Sequence, residues 1–498
     1  MDKQPYVFIY LQALNNKMKL INIPVIFKIQ SNILMIVTVL LLICVPVALI
    51  YGEPLLPFLL SAFITVVLSS LLPGISLNAD MKSITLKDGY LSVALSWFVF
   101  SAFGALPFLI SGVTKNFTDA FFETVSGVTT TGASIFTDVE VLPKSILFWR
   151  SLTHWIGGLG IIVLVIIILP SFSITNYSIF SMESSLKEKF HPKTRAIGFR
   201  LLYIYLGLTA AETILLYLGE MDLFESICHT FGTVATGGFS TRNASIAAFS
   251  EYSQYVVMIF MFLSGISFVV YYYLIKFNFR KIKNNEELWF YIGVCIIAGA
   301  LAVSILNSGE GLPFKTAFRE GFFQTISIIT TTGYATADYL KWPVAGTVLI
   351  FLLFFTGAST GSTTGNIKMA RHLLVLKNVR EIFKKLLHPN AVIRIRFNDK
   401  VLDRDLNISI LSYVVIYLFV FLVSSFMVSL FGLDLLTSVS AVATSLGSIG
   451  AGFGSVGPAS NYAHISQPVK IILSLLMIFG RLELMTVIVL FTPGFWKK

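Results

Sequence analysis

The chain has 498 residues, of which 55% are hydrophobic, 14% aromatic and only 12% charged, with a mean hydropathy of +0.81; ordinary soluble domains carry roughly a quarter charged residues. This excludes a soluble globular enzyme, a disordered chain, a collagen-like fibre and a secreted disulfide scaffold. The formal net charge of +10 would suggest nucleic acid only if the basic residues gathered on one folded face, and their order along the chain points to a membrane instead.

Residues 1–31 hold scattered lysines and no compact apolar stretch before a small-residue cleavage site. A cytoplasmic N-terminal segment is therefore expected, not a cleaved signal peptide. Ten apolar stretches follow, near residues 32–51, 55–73, 91–111, 146–169, 200–218, 252–276, 288–308, 345–375, 407–432 and 465–493. At ~1.5 Å per residue such stretches cross a ~30 Å hydrocarbon layer as helices. An even number returns both termini to one side. That side holds 27 of the 36 Lys and Arg, ten of them within 368–404, against 6 on the other, while Asp and Glu number 11 and 13. This is the positive-inside bias of a multi-pass protein, which makes both termini cytoplasmic and leaves nucleic acid without a role. The net negative outer face concentrates cations at any mouth there. The expected solute is a cation.

Four outer stretches, too short to cross, resemble one another: DAFFETVSGVTTTGAS (119–134), ESICHTFGTVATGGFS (225–240), EGFFQTISIITTTGYA (320–335) and TSVSAVATSLGSIGAG (437–452). They align on Gly132, Gly238, Gly333 and Gly450, separated by 106, 95 and 117 residues, so a unit of roughly 100 residues occurs four times. The units divide the chain into 76–175, 176–280, 281–385 and 386–498, preceded by two additional spans over 32–75. Each unit is span, short helix with glycine turn, span. Two crossings per unit make all four run in the same direction, and parallel units around an axis normal to the membrane enclose a central path. Each stretch begins as about ten residues of amphipathic helix and ends in Thr, Ser and Gly, which leave helices readily. Irregular backbone at membrane depth is tolerated only where it lines a cavity or water path. Carbonyls on four such turns can replace a cation's hydration shell, and four helix C-termini aimed at the ion add their partial negative charge.

These residues also carry a family resemblance that covers nearly the whole chain. WRSLTHWIGGLGI (149–161), the four loops, GASTGSTTGNIK (357–368) and GRLELMTVIVLFTPGFW (480–496) resemble the TrkH-like membrane subunit of Trk-type potassium uptake systems, in the superfamily shared with Ktr and HKT transporters. The pair of spans before the first unit is similar to Trk and not to the shorter Ktr proteins. The resemblance implies an all-α polytopic membrane protein with four tandem M1-P-M2 units around one pore, assembled as a homodimer. It implies a selectivity filter of Thr130, Thr131, Gly132; Thr236, Gly237, Gly238; Thr331, Thr332, Gly333; and Ser448, Ile449, Gly450, binding K⁺ mostly through main-chain carbonyls. In the superfamily, serine in place of the first filter glycine accompanies Na⁺ preference; Gly132 stands there in this chain, which points to K⁺. The fourth loop departs most, with Ser and Ile where the first and third have Thr, which puts a symmetric site in doubt.

The second span of the third unit contains Gly357, Ser359, Thr360, Gly361, Ser362 and Gly365. Glycines four apart suit a small-residue helix-packing face; each also weakens a helix interior by about 1 kcal/mol. The resemblance favours an irregular loop beneath the filter that obstructs the pore and moves on gating. Arg481, inside the last span, must face protein or water. It either pairs with Glu483 or Glu212, or, as the resemblance implies, stands in the pore against the gate loop. Lys368, just beyond the loop, is either a second gating contact or a lysine that snorkels to the interface, the latter being expected. Arg150 is expected to cap the outer end of its helix, and His154 to be a packed, hydrogen-bonded histidine in preference to a ligand. Cys44, Cys228 and Cys295 have no metal-ligand spacing and are expected to be buried free thiols. No Walker A or dinucleotide motif appears, so no cofactor is expected beyond K⁺ as cargo. The basic connection 368–404 suits lipid headgroups, and the resemblance implies that a cytoplasmic nucleotide-binding regulatory ring docks on it. The function expected is K⁺ uptake across the cell inner membrane. A Na⁺-selective or Na⁺/K⁺-coupled transporter on the same scaffold is the first alternative. An integral membrane enzyme, which should show convergent acids or histidines, is the second.

Overall fold

Lipid offers no partner for backbone N–H and C=O groups, so apolar stretches of this length satisfy themselves as helices. The computed structural model describes residues 21–75, 84–167, 193–391 and 393–496. Among them the strands are a single antiparallel pair, β1 (Arg396–Phe397) and β2 (Lys400–Val401), with Arg396 opposite Val401. The chain opens with a hairpin of α1 (Ile23–Ile50) and α2 (Leu56–Ile75). Its two helices are joined by small hydroxyls, the usual polar contact between helices in lipid: Thr38 Oγ1 lies 2.8 Å from Thr65 Oγ1, and Ser31 Oγ donates to Ser69 O at 2.7 Å. α1 starts well ahead of the expected residue 32, because the apolar run around Lys28 continues the helix and Pro24 is admissible in its first turn.

A pattern of long helix, short helix, glycine turn and second helix then recurs four times. The first comprises α3 (Leu86–Gly104), α4 (Leu106–Ile110), α5 (Phe117–Val128) and α6 (Lys144–Ile167). Thr85 and Asp88 open α3 with a reciprocal capping box. Glu53, between α1 and α2, accepts from Lys144 N at 2.6 Å and Ser145 N at 2.9 Å. It therefore caps α6 and fastens the hairpin to the first unit. The second comprises α7 (Lys193–Leu218), α8 (Leu223–Val234), α9 (Glu251–Ser264), α10 (Phe268–Ile275) and α11 (Phe279–Lys283). The third has α12 (Glu286–Gly309), α13 (Phe314–Ile329), α14 (Val344–Leu353) and α15 (Met369–Leu387); the fourth has α16 (Arg404–Ser429), α17 (Leu435–Gly447), α18 (Gln467–Arg481), α19 (Leu484–Ile488) and α20 (Pro493–Trp496). Lys470 Nζ of α18 donates to Asp119 Oδ1 of α5 at 2.7 Å, with the lysine side chain 2% exposed, so the last repeat closes on the first. Cys44, Cys228 and Cys295 are buried free thiols.

Three of the ten expected spans are broken. α9 and α10 meet at 92°, and α18 meets the helical segment after Glu483 at 113°. The third break is the irregular stretch between α14 and α15. Among the described residues five helical spans are long and apolar enough to cross, one of them α3 continued by α4, and the two bent pairs raise this to seven. Hydropathy registers apolar side chains and is blind to where backbone hydrogen bonds leave the helix. Of the basic residues counted on the inner side, Lys3, Lys17, Lys19, Lys82, Lys187, Lys189, Lys497 and Lys498 lie outside the described residues, as do residues 1–20 of the expected N-terminal segment and the unit boundaries at 76 and 175–176.

Candidate functional site: four glycine turns and the segment beneath them

The short helices α5, α8, α13 and α17 end alike. In α5, Thr130 N donates to Gly127 O at 3.0 Å and Thr131 N to Ser126 O at 2.9 Å, the paired bonds of a Schellman cap. The same pair recurs at Thr236 and Gly237 (2.9 and 2.7 Å), at Thr331 and Thr332 (3.0 and 2.9 Å), and at Ser448 and Ile449 (3.3 and 2.8 Å). The cap needs a left-handed residue, and it is Thr130, Thr236, Thr331 and Ser448, with φ of 53, 56, 54 and 55°. Each costs about 1–2 kcal/mol relative to glycine there. Two residues later Gly132, Gly238, Gly333 and Gly450 are left-handed again, at 82, 82, 78 and 89°. The fourth loop therefore keeps the backbone of the others despite Ser448 and Ile449, because the conformation is set by main-chain bonds and the Ile449 side chain turns into the core.

The four turns form a closed ring. A Cβ on Gly132 would lie 2.2 Å from Gly237 O, one on Gly238 2.0 Å from Thr332 O, one on Gly333 1.9 Å from Ile449 O, and one on Gly450 2.4 Å from Thr131 O. Each turn thus touches the next in chain order, and the fourth touches the first. No hydrogen bond from the described residues reaches the carbonyls of 130–132, 236–238, 331–333 or 448–449. Gly450 O is the exception, accepting from Tyr462 Oη at 2.8 Å. Buried carbonyls without donors are rare in folded proteins; eleven donor-free carbonyls in one ring, on buried residues except for the half-buried Gly132, Gly238 and Gly333, amount to an oxygen-rich site suited to a desolvated cation.

In three of the four stretches the ring is braced from outside by the fifth residue. Glu123 accepts from Ile135 N at 2.9 Å, His229 Nε2 bonds Ser240 Oγ at 2.9 Å, and Gln324 Nε2 donates to Ala337 O at 2.9 Å. Ala441 in the fourth has no such side chain, and Ser440 Oγ accepts from Phe453 N at 2.8 Å instead. Sequence reasoning missed these braces; an aligned column of Glu, His and Gln on otherwise apolar helices was the available signal. Arg150 does not cap its helix. It is buried, donates from Nε to Glu123 at 2.8 Å and to Ser134 Oγ and Ser240 O, and lies 4.2 Å from the Phe239 ring centroid. A cation is ill placed at a helix N-terminus, and the carboxylate supplies what the helix end cannot. His154 bonds Gly127 O at 2.7 Å through Nδ1 and accepts from Phe239 N at 3.1 Å, tying the first turn to the second as a packed histidine.

Residues 357–365 are not helical, so a helix-packing face is excluded. The segment is pinned on all sides. Gly357 N donates to Ile367 O, Ser359 N to Gly265 O, and Phe268 N to Gly361 O, the last two at the break between α9 and α10. Gly365 N donates to Thr331 Oγ1 at 2.8 Å, and Thr236 Oγ1 lies 3.4 Å from Thr363 Oγ1. A Cβ on Gly365 would meet Ser448 Cβ at 2.9 Å. The segment therefore abuts three of the four left-handed residues, while the buried hydroxyls of Thr130 and Ser448 have no partner among the described residues.

Arg481 donates from Nη1 to Thr363 O at 2.6 Å and from Nη2 to Gly157 O at 2.8 Å. It forms no ion pair with Glu483 or Glu212; Glu483 pairs with Arg371. Lys368 does not snorkel: it is 7% exposed and donates to Thr364 Oγ1 at 2.9 Å, because the chain turns back beneath the ring before α15 begins. Glu287, one of two successive acids at the start of α12, also reaches this segment. Counted as a charge of the inner face, it gave no other signal in the sequence.

A TrkH family profile, described as cation transport protein, matches residues 58–293 and 306–498. The chain is similar to the Trk system potassium uptake protein TrkH of Vibrio parahaemolyticus, 34% identical over 95% of this chain and 99% of that one. It is similar to TrkI of Halomonas elongata, 33% identical over 82% of this chain and 84% of the relative, and to TrkH of Escherichia coli, 34% identical over 88% and 91%. The crystal structure of the potassium transporter TrkH from Vibrio parahaemolyticus superposes with a TM-score of 0.86 at 31% identity, covering 95% of this chain and 99% of that one.

Proposed function

The chain belongs to the TrkH family of cation transport proteins, transporters and not enzymes, and on that premise we propose that it takes up K⁺ through the ring of four glycine turns. The observation that carries the proposal is the closed ring itself: eleven carbonyls that accept nothing from the described residues, contributed by equivalent positions of four repeats. A dehydrated K⁺ is held by Thr130 to Gly132, Thr236 to Gly238, Thr331 to Gly333, and Ser448 to Gly450, with hydration oxygens replaced by protein oxygens. The helix ends of α5, α8, α13 and α17 add partial negative charge on the same side of the site.

The segment 357–365 is the gate in this proposal. Lying against Thr331, Thr236 and Ser448, it blocks the way out of the ring, and Arg481, which touches carbonyls and no carboxylate, keeps an uncompensated positive charge on the inner path. The units 76–175, 176–280, 281–385 and 386–498 then each contribute a quarter of the ring. The protein works as a homodimer in the cell inner membrane, termini in the cytoplasm, with the basic stretch 368–404 receiving a nucleotide-binding regulatory ring. The charge asymmetry of the loops supports this orientation.

Rubidium uptake into liposomes carrying the full chain, with competing Na⁺ and with or without a cytoplasmic regulatory subunit, tests the proposal. Uptake that persists in excess Na⁺ is the expected result. Equal passage of Na⁺ and Rb⁺ would overturn K⁺ selectivity, and absence of flux under all conditions would overturn the transport reading.

A further inference from the structure

Besides Arg481 and Lys368, the gate segment is held by an acidic side chain from another helix, Glu287. Glu287 lies in the first turn of α12, is 5% exposed, and belongs to the third unit's first helix. One of its carboxylate oxygens, Oε1, accepts three hydrogen bonds: from Thr360 N at 2.6 Å, from Thr360 Oγ1 at 2.9 Å and from Ala370 N at 3.0 Å. Thr360 is at the tip of the gate segment, and Ala370 is in the first turn of α15, the helix that follows it. α15 has no side-chain cap of its own at Lys368. Glu287 therefore satisfies one of its orphan N–H groups from another helix, and an anion at that end is electrostatically favoured.

We propose that Glu287 is the positioning residue that latches the gate segment to α15, and so makes the obstructing conformation depend on where α15 lies. This rests on reading 357–365 as the gate. The neighbouring residue strengthens the link: Glu286 pairs with Lys377, two turns further along α15, and Glu286 N donates to Asn398 Oδ1 at 2.9 Å. Two successive acids of α12 thus grip α15 at two levels. The C-terminal part of that helix, which itself belongs to the basic connection 368–404, carries Leu376, Phe383 and Leu386 exposed, so a force applied there pulls first on these acids. When α15 shifts, Ala370 N leaves Oε1, the carboxylate must find a new donor, and Thr360 loses the geometry in which its amide and hydroxyl share one acceptor. Buried acceptors that lose donors are costly, so segment and helix move together.

The test is basal rubidium flux through the reconstituted full chain without any partner, with the Rb⁺ to Na⁺ ratio measured in parallel. Glu287→Ala should raise basal flux at least threefold and leave the ratio unchanged, because the latch is lost while the ring is intact. Glu287→Gln keeps an oxygen acceptor for Thr360 and Ala370 and should return flux most of the way to the parent. A purely structural residue would show no such ordering of Ala and Gln. If Glu287→Ala does not fold, Thr360→Ala, which removes only the hydroxyl donor, should raise flux by a smaller factor. Parental or reduced flux in a folded Glu287→Ala or Thr360→Ala variant, or a changed ion ratio in either, overturns the latch. Deletion of residues 357–365 separates the two levels: if the deletion raises flux and Glu287→Ala does not, the latch is wrong and the gate stands, whereas if neither does, the gate reading falls with it.

Discussion

Replacing Gly132 by serine tests the contact between the first two turns of the ring. Gly132 has φ +82°, and a Cβ there would sit 2.2 Å from Gly237 O on the next turn, against an ordinary contact beginning at 3.4 Å. One of the two turns must yield by about 1.2 Å. The left-handed backbone costs a non-glycine residue about 1–2 kcal/mol, and overpacking a tight contact adds about 1–3 kcal/mol. Relief comes from moving carbonyls, since the atom struck is itself a carbonyl oxygen of the ring. Each 1.4 kcal/mol by which the displaced oxygens favour one ion less over another is tenfold in relative binding, so Gly132→Ser should lower Rb⁺ over Na⁺ discrimination by at least tenfold in liposome flux. Gly112→Ser is the matched control: φ is +76° but nothing lies within 4 Å of the added Cβ. It carries the backbone strain without the contact and should keep the parental ratio. A parental ratio in folded Gly132→Ser, or an equal loss in Gly112→Ser, would refute the argument that contact between turns sets selectivity.

Deleting residues 357–365 should raise Rb⁺ leak, and a variant as tight as the parent would reduce the segment to packing. Arg150→Met leaves Glu123 buried without its cation and should cost about 3–5 kcal/mol, seen as a lower thermal midpoint in detergent; pairing it with Glu123→Gln should recover part of that loss. Asp434 caps α17 on the outer side, accepting from Thr437 N at 3.0 Å. Bonding to the Thr437 side chain and backbone holds its carboxyl below the ordinary carboxylate range. A depressed value means that the cap's contribution is complete at neutral pH and fades as pH falls through the folded-state value. Asp434→Ala, expected to cost about 1 kcal/mol at neutral pH, should therefore converge with the parent in acid unfolding scans.

Composition and charge order were enough to establish a multi-pass helical protein, because burial in lipid leaves few choices for backbone and charge. The fourfold repeat was equally legible, since Gly132, Gly238, Gly333 and Gly450 each answer a local demand for a left-handed residue. Other features depend on groups distant in sequence. Nothing near Arg481 in the chain reveals that it bonds Thr363 and Gly157 and no acid, nor that Lys368 is buried beneath the ring. The breaks at Gly265 and Glu483 escaped hydropathy because the bonds that stabilise an interrupted helix come from other units, as Ser359 N to Gly265 O does. The equivalence of the fourth turn was likewise decided by tertiary structure: its side chains differ, but ring closure acts on main-chain atoms, which every sequence shares. The glycines carry both a local demand and the close approach of the next turn and so repeat visibly, whereas a side chain such as Arg481 or Lys470 meets its partner more than 300 residues away, and nothing in its own neighbourhood names that partner.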